Sequence, residues 1–345
     1  MTTDASRQIE THLLQLLLAT PDSHVSGSDI AGALGISRVA VWARVQRLEQ
    51  RGYRIAAIRN KGYRLIGEPA TLDAPLVHAR LGARSTPLAV RILETIDSTN
   101  TEATRLLSAN EPAPLAVITR RQTQGRGRLG RQWHSPEEGN LMLSLGFRPN
   151  LPPSRLQLFT LWAGLRACLA LREETGLAIH VKWPNDLYLD GRKLGGMLTE
   201  ARMDADLVRD LVFGMGLNVN SDPSAWPDLA PIASSLKQVG GGYDFPINRI
   251  LVRLLTAIHD AYHDLVSRDI VPDLLAGWPS VDLLAGRPVR TVPLASGDPV
   301  RQGTAAGITP NGALAIRDAS GAIHTVNAGE VSIGTERLHH APHHG

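Results

Sequence analysis

Two features of the chain have residue types suited to anion chemistry. Residues 122–133 read QTQGRGRLGRQW, and the stretch 119–136 holds five arginines (Arg120, Arg121, Arg126, Arg128, Arg131) and no acid. Glycines let a backbone approach a ligand closely, and guanidinium forks match carboxylate and phosphate. GRGRLG is not a dinucleotide fingerprint, because it opens no helix, and not a Walker loop, because no Gly-Lys-Ser/Thr follows. An RGG-type nucleic-acid tail would be repetitive, whereas this stretch is short and lies between two strand-like runs. It reads as a cradle for a phosphate-bearing ligand, since five uncompensated arginines repel one another when nothing binds. The second feature is scarcity. Of 36 basic residues only four are lysines: Lys61, Lys182, Lys193 and Lys237. An ammonium is a compact point charge that reaches a reacting centre where a planar fork cannot, which singles out Lys182 and Lys193.

Bulk properties bound the rest. A chain of 345 residues suggests two or three domains. Its hydrophobic share of 43% suffices for real cores, and 20% charged residues is ordinary for a soluble chain. The apolar run at 13–19 is too short to span a bilayer and lacks a signal-peptide layout, so a cytoplasmic protein with no membrane partner is expected. The single cysteine, Cys168, sits in an apolar helical pattern; it reads as a buried thiol and excludes a disulfide framework. Net charge is +3 but uneven: residues 1–68 carry 9 Lys+Arg against 6 Asp+Glu, and the remainder carries 27 of each. The surplus belongs to the N-terminal segment and points to a polyanionic partner there.

The elements in that segment follow a definite order. Ile9, Leu13, Leu16 and Leu17 recur at helical spacing over 7–19. A short helix over 27–34 should stop at Gly35. Ser37 should cap another, SRVAVWARVQRLEQRG, with Val41, Val45 and Leu48 on one face. YRIAAIRNKGYRLIG then alternates around a turn at Asn60-Lys61-Gly62. Three helices and a hairpin spell a winged helix-turn-helix over 1–66. The start of the last helix of such a module enters the major groove, so Arg38, Arg44 and Arg47 are candidate base or phosphate contacts, and Lys61 at the wing tip a candidate phosphate contact. The same module could serve protein contacts alone, and Trp42 reads as core or as an exposed contact. Gly67-Glu68-Pro69-Ala70 breaks the pattern, so 67–80 reads as a linker, with a short helix near 76–81.

Downstream, strand-like runs at 88–96, 115–121, 140–147, 179–183 and 207–220 mix with helical runs at about 100–107, 154–174 and 247–268. A hairpin turns at Asp190-Gly191. The strand at 115–121 delivers the chain into the arginine loop, and Asp97 or Ser98 should cap the helix before it. Hairpins mixed with helices indicate an α+β domain over 81–275 and not a βαβ nucleotide fold. Segment 221–242, rich in Pro, Ala and Gly, reads as a mobile loop. Five short strand-like runs over 280–337 suggest a small β-barrel, and the histidine-containing end, 338–345, a disordered tail.

In order and spacing, DSTN (97–100), QTQGRGRLGRQW (122–133), KWPND (182–186), GRKLGGML (191–198) and GLNVN (216–220) resemble the biotin–protein ligases. Behind a winged helix-turn-helix they resemble the bifunctional kind that also represses the biotin operon. The resemblance covers almost the whole chain. It implies a multidomain α+β protein: the winged helix-turn-helix, a central mixed α/β ligase domain like that of class II synthetases, and an SH3-like C-terminal barrel that helps bind the carrier or closes over ATP. It also implies ATP- and Mg2+-dependent formation of biotinyl-5′-AMP, then transfer of biotin to one lysine of a biotin carboxyl carrier protein. For the repressor kind it implies a homodimer, formed with adenylate bound, that holds operator DNA through residues 25–66.

Site residues follow from the same resemblance. The ureido ring of biotin needs hydroxyl and amide partners in an otherwise apolar pocket; these would be Ser98, Thr99, Asn100 and Gln122, with backbone from Gly125 through Gly127 to Arg128. Arg126 and Arg128 would line the reaction centre, with Lys193 facing the biotin carboxylate and acyl phosphate, Lys182 at the α-phosphate and Arg131 toward the phosphates. Such cations neutralise two anions and follow the charge into the transition state. Asp186 would assist magnesium or orient Lys182, and Asn185, Trp133 and Asn218 would belong to the adenylate end. Trp226 is a candidate in the loop that closes over it. Two rivals remain: a lipoate–protein ligase of related fold, against which the KWPND and GRKLGG pairing speaks, and a biotin-sensing regulator without turnover, against which the intact Lys182, Lys193 and Arg126 speak.

Overall fold

The structure is a computed structural model that describes residues 3–82, 88–133, 139–292 and 299–333. The expected tail at 338–345 lies outside the described residues. Helices α1 (Thr3–Ala19), α2 (Gly27–Leu34) and α3 (Arg38–Gln50) lead into an antiparallel hairpin of β1 (Arg54–Ile58) and β2 (Gly62–Gly67). The Ser26 and Ser37 hydroxyls accept hydrogen bonds from Asp29 N and Ala40 N, and Gly35 ends α2 at φ 62°. Leu13, Leu17, Ile30, Val41, Val45 and Leu48 fill the core between them. This is the winged helix-turn-helix that the spacing predicts.

Helix α4 (Ala74–Gly82) occupies the end of the segment read as a linker, and it is shared between two cores. Leu76 and Ala79, three apart, pack into the N-terminal core, while Val77 and Leu81, four apart, pack into the central one. The connection before it is strapped down. The buried Asn248 side chain accepts from Asp73 N at 2.8 Å and donates to Thr71 O at 2.9 Å, and Asp73 accepts from Tyr53 Oη at 2.9 Å.

The central domain is built from β3 (Ala89–Ile96), α5 (Thr99–Ser108), β4 (Leu115–Gln122), β5 (Asn140–Phe147), α6 (Arg155–Thr175), β6 (His180–Lys182), β7 (Asp186–Leu189), β8 (Arg192–Asp204) and β9 (Leu207–Asn218), followed by α7 (Leu236–Val239), α8 (Ile247–Ser267) and α9 (Val271–Gly277). Its seven strands run in the order β3-β4-β5-β9-β8-β7-β6. Five of the six neighbouring pairs are antiparallel, but β3 and β4 are parallel and joined by α5. The sheet is therefore not that of a βαβ nucleotide fold, although it contains one parallel crossover, β3-α5-β4. The crossover over 97–114 is long enough to bring β4 back alongside β3 in the same direction, which a hairpin cannot do.

Helices α6 and α8 cover one face, where Phe147, Phe159, Phe213 and Tyr262 meet ring to ring. Cys168 is buried there on α6, and burial pushes its thiol up to about 12. On the other face α5 packs Ala103, Leu106 and Leu107 against Leu115, Val117 and Val212. Side chains alternate along β9, so with Phe213, Met215 and Leu217 in the α6–α8 core, Gly214 and Gly216 open onto the α5 face. The C-terminal domain is a five-stranded antiparallel sheet, β13-β12-β11-β10-β14, made of β10 (Pro288–Val292), β11 (Gln302–Ile308), β12 (Leu314–Arg317), β13 (Ile323–Val326) and β14 (Glu330–Ile333). No helix among the described residues is long and apolar enough to cross a membrane.

Candidate active site and nucleic-acid interface

A cavity of about 500 Å³ opens on the α5 face of the sheet, within the usual size of small-molecule sites. Its floor is Gly196, Leu198, Gly214 and Gly216, paired across β8 and β9 as Gly196 with Gly216 and Leu198 with Gly214. The two β9 glycines are required by what stands over them. A Cβ on Gly214 would lie 1.9 Å from Asn100 Oδ1, and one on Gly216 would lie 2.4 Å from the Trp133 ring.

The N-terminus of α5 supplies the polar wall. Ser98, Thr99 and Asn100 are all buried. Ser98 sits at the cap position, yet its hydroxyl makes no capping bond. Asp97 instead steadies the turn by accepting from Ser98 N at 2.7 Å, and hydrogen bonds from Arg105 hold its carboxyl below the usual range. Gln122 Oε1 accepts from Thr99 N at 2.8 Å and from Thr99 Oγ1 at 3.1 Å. Ser144 Oγ on β5 lies 2.7 Å from Thr99 Oγ1 and 2.6 Å from Asn100 Oδ1. Asn100 Nδ2 donates to Glu200 Oε2 at 2.6 Å. These side chains are mutually oriented donors and acceptors, as a neutral polar ring requires.

The arginine loop folds back on itself. Gly127 N donates to Arg131 O at 2.7 Å and Trp133 N to Gly125 O at 3.0 Å, around one 3-10 turn at Arg128–Gly130. Its arginines are not uncompensated, as their local sequence suggested, because acids arrive from distant segments. Arg126 Nη2 meets Glu200 Oε2 at 2.8 Å on β8, Arg131 Nη1 meets Glu330 Oε1 at 2.6 Å on β14, and Arg120 Nε meets Glu94 Oε2 at 3.3 Å. Arg128 binds neutral acceptors, Asn185 Oδ1 at 2.7 Å and Gly329 O at 3.3 Å.

The end of β6 and the β7–β8 hairpin carry Lys182 and Lys193, respectively, toward the same cavity. Lys193 Nζ stands 2.8 Å from Asp186 Oδ1. Lys182, buried, lies 3.2 Å from Tyr188 Oη and 5.0 Å from the ring centre. Asn185 is fixed by donating to Met197 O at 2.7 Å while it accepts from Arg128. Trp133 has a buried indole N–H without a hydrogen-bond partner among the described residues. Asn218 lines the cavity with its amide engaged, accepting from Asn140 at 3.1 Å and donating to Ser234 O at 3.0 Å. Thus the cavity gathers Ser98, Thr99, Asn100, Gln122, Arg126, Gly127, Arg128, Arg131, Trp133, Lys182, Asn185, Asp186, Lys193 and Asn218 from five separate sequence stretches.

On the N-terminal domain the four candidate contacts divide. Arg38 and Arg47 on α3 and Lys61 at the wing tip are exposed. Arg44 is a correction: it is buried, and Nη1 donates to Ser6 Oγ on α1 at 3.3 Å. It lies on the same helical face as Val41, Val45 and Leu48, so it braces the core and presents nothing to a groove. Trp42, undecided from sequence, is 56% exposed.

Known proteins resemble this chain along most of its length. Residues 92–218 match the biotin/lipoate A/B protein ligase family, residues 10–64 a helix-turn-helix domain, and residues 286–334 the biotin protein ligase C-terminal domain. The bifunctional ligase/repressor BirA of Bacillus subtilis is 33% identical over 327 residues, covering 93% of this chain and 98% of that protein. The chain belongs to the biotin protein ligase family, on the branch with a helix-turn-helix domain. BirA of Escherichia coli is 30% identical over 92% of this chain and 95% of its own. The biotin protein ligase from Aquifex aeolicus in complex with biotin and ATP superposes with a TM-score of 0.59 at 29% identity, covering 71% of this chain and 97% of that one.

Several residues of this ligase-family site escaped the sequence reading. Ser144 and Glu200 sit in strands with no local signature. Leu229, Pro231, Ile232 and Ala233 line the cavity from the segment read as a mobile loop, held by hydrogen bonds between Lys193 N and Ile232 O and between Ser234 N and Lys193 O, both 2.8 Å. Trp226 stands outside that lining and is 38% exposed. Glu330, Val331 and Ser332 come from the C-terminal domain.

Proposed function

We propose that the chain is an AMP-forming biotin–protein ligase that also binds operator DNA. The observation that carries the ligase reading is one cavity lined by both a neutral hydroxyl and amide cluster (Thr99, Asn100, Gln122), with Ser144 hydrogen-bonded behind it, and the cations Arg126, Arg128, Lys182 and Lys193. In the first step a carboxylate oxygen of biotin attacks the α-phosphorus of ATP. A P–O bond forms, and the bond to pyrophosphate breaks. Lys193 and the loop arginines stabilise the charge that accumulates where the two anions meet, and their ion pairs with Asp186 and Glu200 hold them in place beforehand. In the second step the ε-amine of a carrier lysine attacks the acyl carbonyl, loses a proton, and AMP leaves.

Magnesium would arrive with the triphosphate and shield its charge. Asp186 offers the kind of single carboxylate such an ion takes alongside phosphate oxygens and water. The test is incubation with ATP, Mg2+ and either biotin or lipoate, with a biotin carboxyl carrier domain as acceptor. Biotin transfer supports the reading, and adenylate formed from lipoate alone rejects it. The helix-turn-helix and its exposed Arg38, Arg47 and Lys61 support operator binding, with self-association when the adenylate is bound. A gel shift with biotin and ATP present tests that half separately.

A further inference from the structure

The outward surface of α3 is unusual for a basic helix. With Arg44 turned into the core, the exposed side chains of its first two turns are Arg38, Val39 and Trp42. Val39 is 74% and Trp42 56% exposed, and they stand three residues apart, side by side on the helix surface. Neither touches the hydrophobic core, which Val41, Val45 and Leu48 face from the other side. The next outward polar residue, Gln46, already donates to Glu49 at 2.7 Å.

Cations lie on either side of this apolar pair: Arg38 at the start of the helix, Arg47 in its last turn, and Lys61 on the wing. An apolar surface framed by cations fits an anionic backbone with an apolar group between the phosphates. In the major groove the one apolar group a base presents is the 5-methyl of thymine. We infer that Val39 and Trp42 read thymine methyl groups in the operator half-site, while Arg38, Arg47 and Lys61 bind phosphates. The inference rests on the operator-binding reading and deepens it: sequence choice comes from methyl contacts more than from hydrogen bonds to base edges.

The experiment uses the full chain with biotin, ATP and Mg2+ to select duplexes from a randomised library. Thymines of the enriched duplex are then replaced one at a time by deoxyuridine, which removes only the methyl. At one or more positions per half-site the substitution should weaken binding about fourfold, the worth of one buried methyl. Val39→Ala or Trp42→Ala should bind the thymine and uracil duplexes equally well at those positions, with biotin transfer unchanged as a check on folding. Equal binding of all thymine and uracil duplexes by the wild type overturns the inference and leaves operator binding intact. So does a methyl effect that persists in both variants. If Trp42→Ala alters self-association but not DNA affinity, the face is a protein contact and the inference fails. If no duplex is enriched, operator binding itself fails.

Discussion

Glu200 Oε2 accepts hydrogen bonds from both Asn100 Nδ2, at 2.6 Å, and Arg126 Nη2, at 2.8 Å. A single carboxylate in the middle of β8 therefore sets the position of the neutral polar wall and of the arginine loop together. The two halves of the site are coupled through a residue that belongs to neither motif.

Replacing Glu200 should separate those halves. Glu200→Gln keeps an acceptor for Asn100 and loses only the charge toward Arg126, a half-exposed pair screened by solvent. Its biotin affinity should fall less than about threefold. Glu200→Ala leaves Asn100 without that acceptor and should cost roughly tenfold. Calorimetric titration with biotin distinguishes the two, and equal losses would mean that the charge alone matters.

Gly214 is the most sensitive backbone position in the cavity. A methyl there would lie 1.9 Å from Asn100 Oδ1, the atom that accepts from Ser144. Gly214→Ala must displace Asn100 and break its bonds to both Ser144 and Glu200. Stability should drop by about 1–3 kcal/mol, the usual cost of overpacking, and biotin affinity by at least about tenfold. Melting and binding measured on the same preparation check this; wild-type values for both would show that the floor relaxes.

Much of this was legible in the sequence, and the limits have physical causes. The arginine loop and the β7–β8 hairpin announce themselves because turns demand glycines and the chemistry demands cations at fixed spacing. Glu200 and Ser144 carry no such signal: an acid or hydroxyl in a strand looks the same whether it faces solvent or a pocket, and only the registers of β8 and β5 against β9 decide. The partners of Arg126 and Arg131 lie 74 and 199 residues away, so no local reading finds them. The parallel β3–β4 pair was missed because strand direction depends on a crossover and not on composition.

Lys193 tests the chemistry itself. It is about one-third exposed and lies outside the core, so Lys193→Ala should fold normally. Loss of one preorganised cation should slow adenylate formation by about 10²-fold or more. Lys193→Arg should restore little, because a planar fork cannot take the place of a point charge beside Asp186. Pyrophosphate release in single turnover measures both, and a near-wild-type rate for the alanine variant would remove Lys193 from the step.

His259 gives a pH dependence. Burial on α8, with His263 beside it, holds its pKa below the ordinary 6.5. The unfolded chain then binds the proton more readily than the folded one, so stability is full above the ordinary value and is lost as pH falls toward the folded one. His259→Leu removes the group, and the fall in melting temperature between about pH 7 and pH 5 should be smaller than in the wild type. Parallel slopes for the two proteins would show that His259 binds its proton equally in the folded and unfolded states, so that its pKa is not lowered by folding.

Arg44 and Arg38, six residues apart on α3, should fail in opposite ways. Arg44 is 6% exposed and bonded to Ser6, so Arg44→Ala removes packing from the winged-helix core. It should lower stability by about 1–2 kcal/mol and leave the salt dependence of DNA binding unchanged in whatever protein remains folded. Arg38 is exposed at the first turn, so Arg38→Ala should leave the melting temperature alone. It should weaken DNA binding and reduce the slope of log K against log salt by about one. Gel shifts at several salt concentrations, paired with melting curves, separate the two. An Arg44→Ala protein that melts as the wild type does yet loses DNA would return Arg44 to the groove.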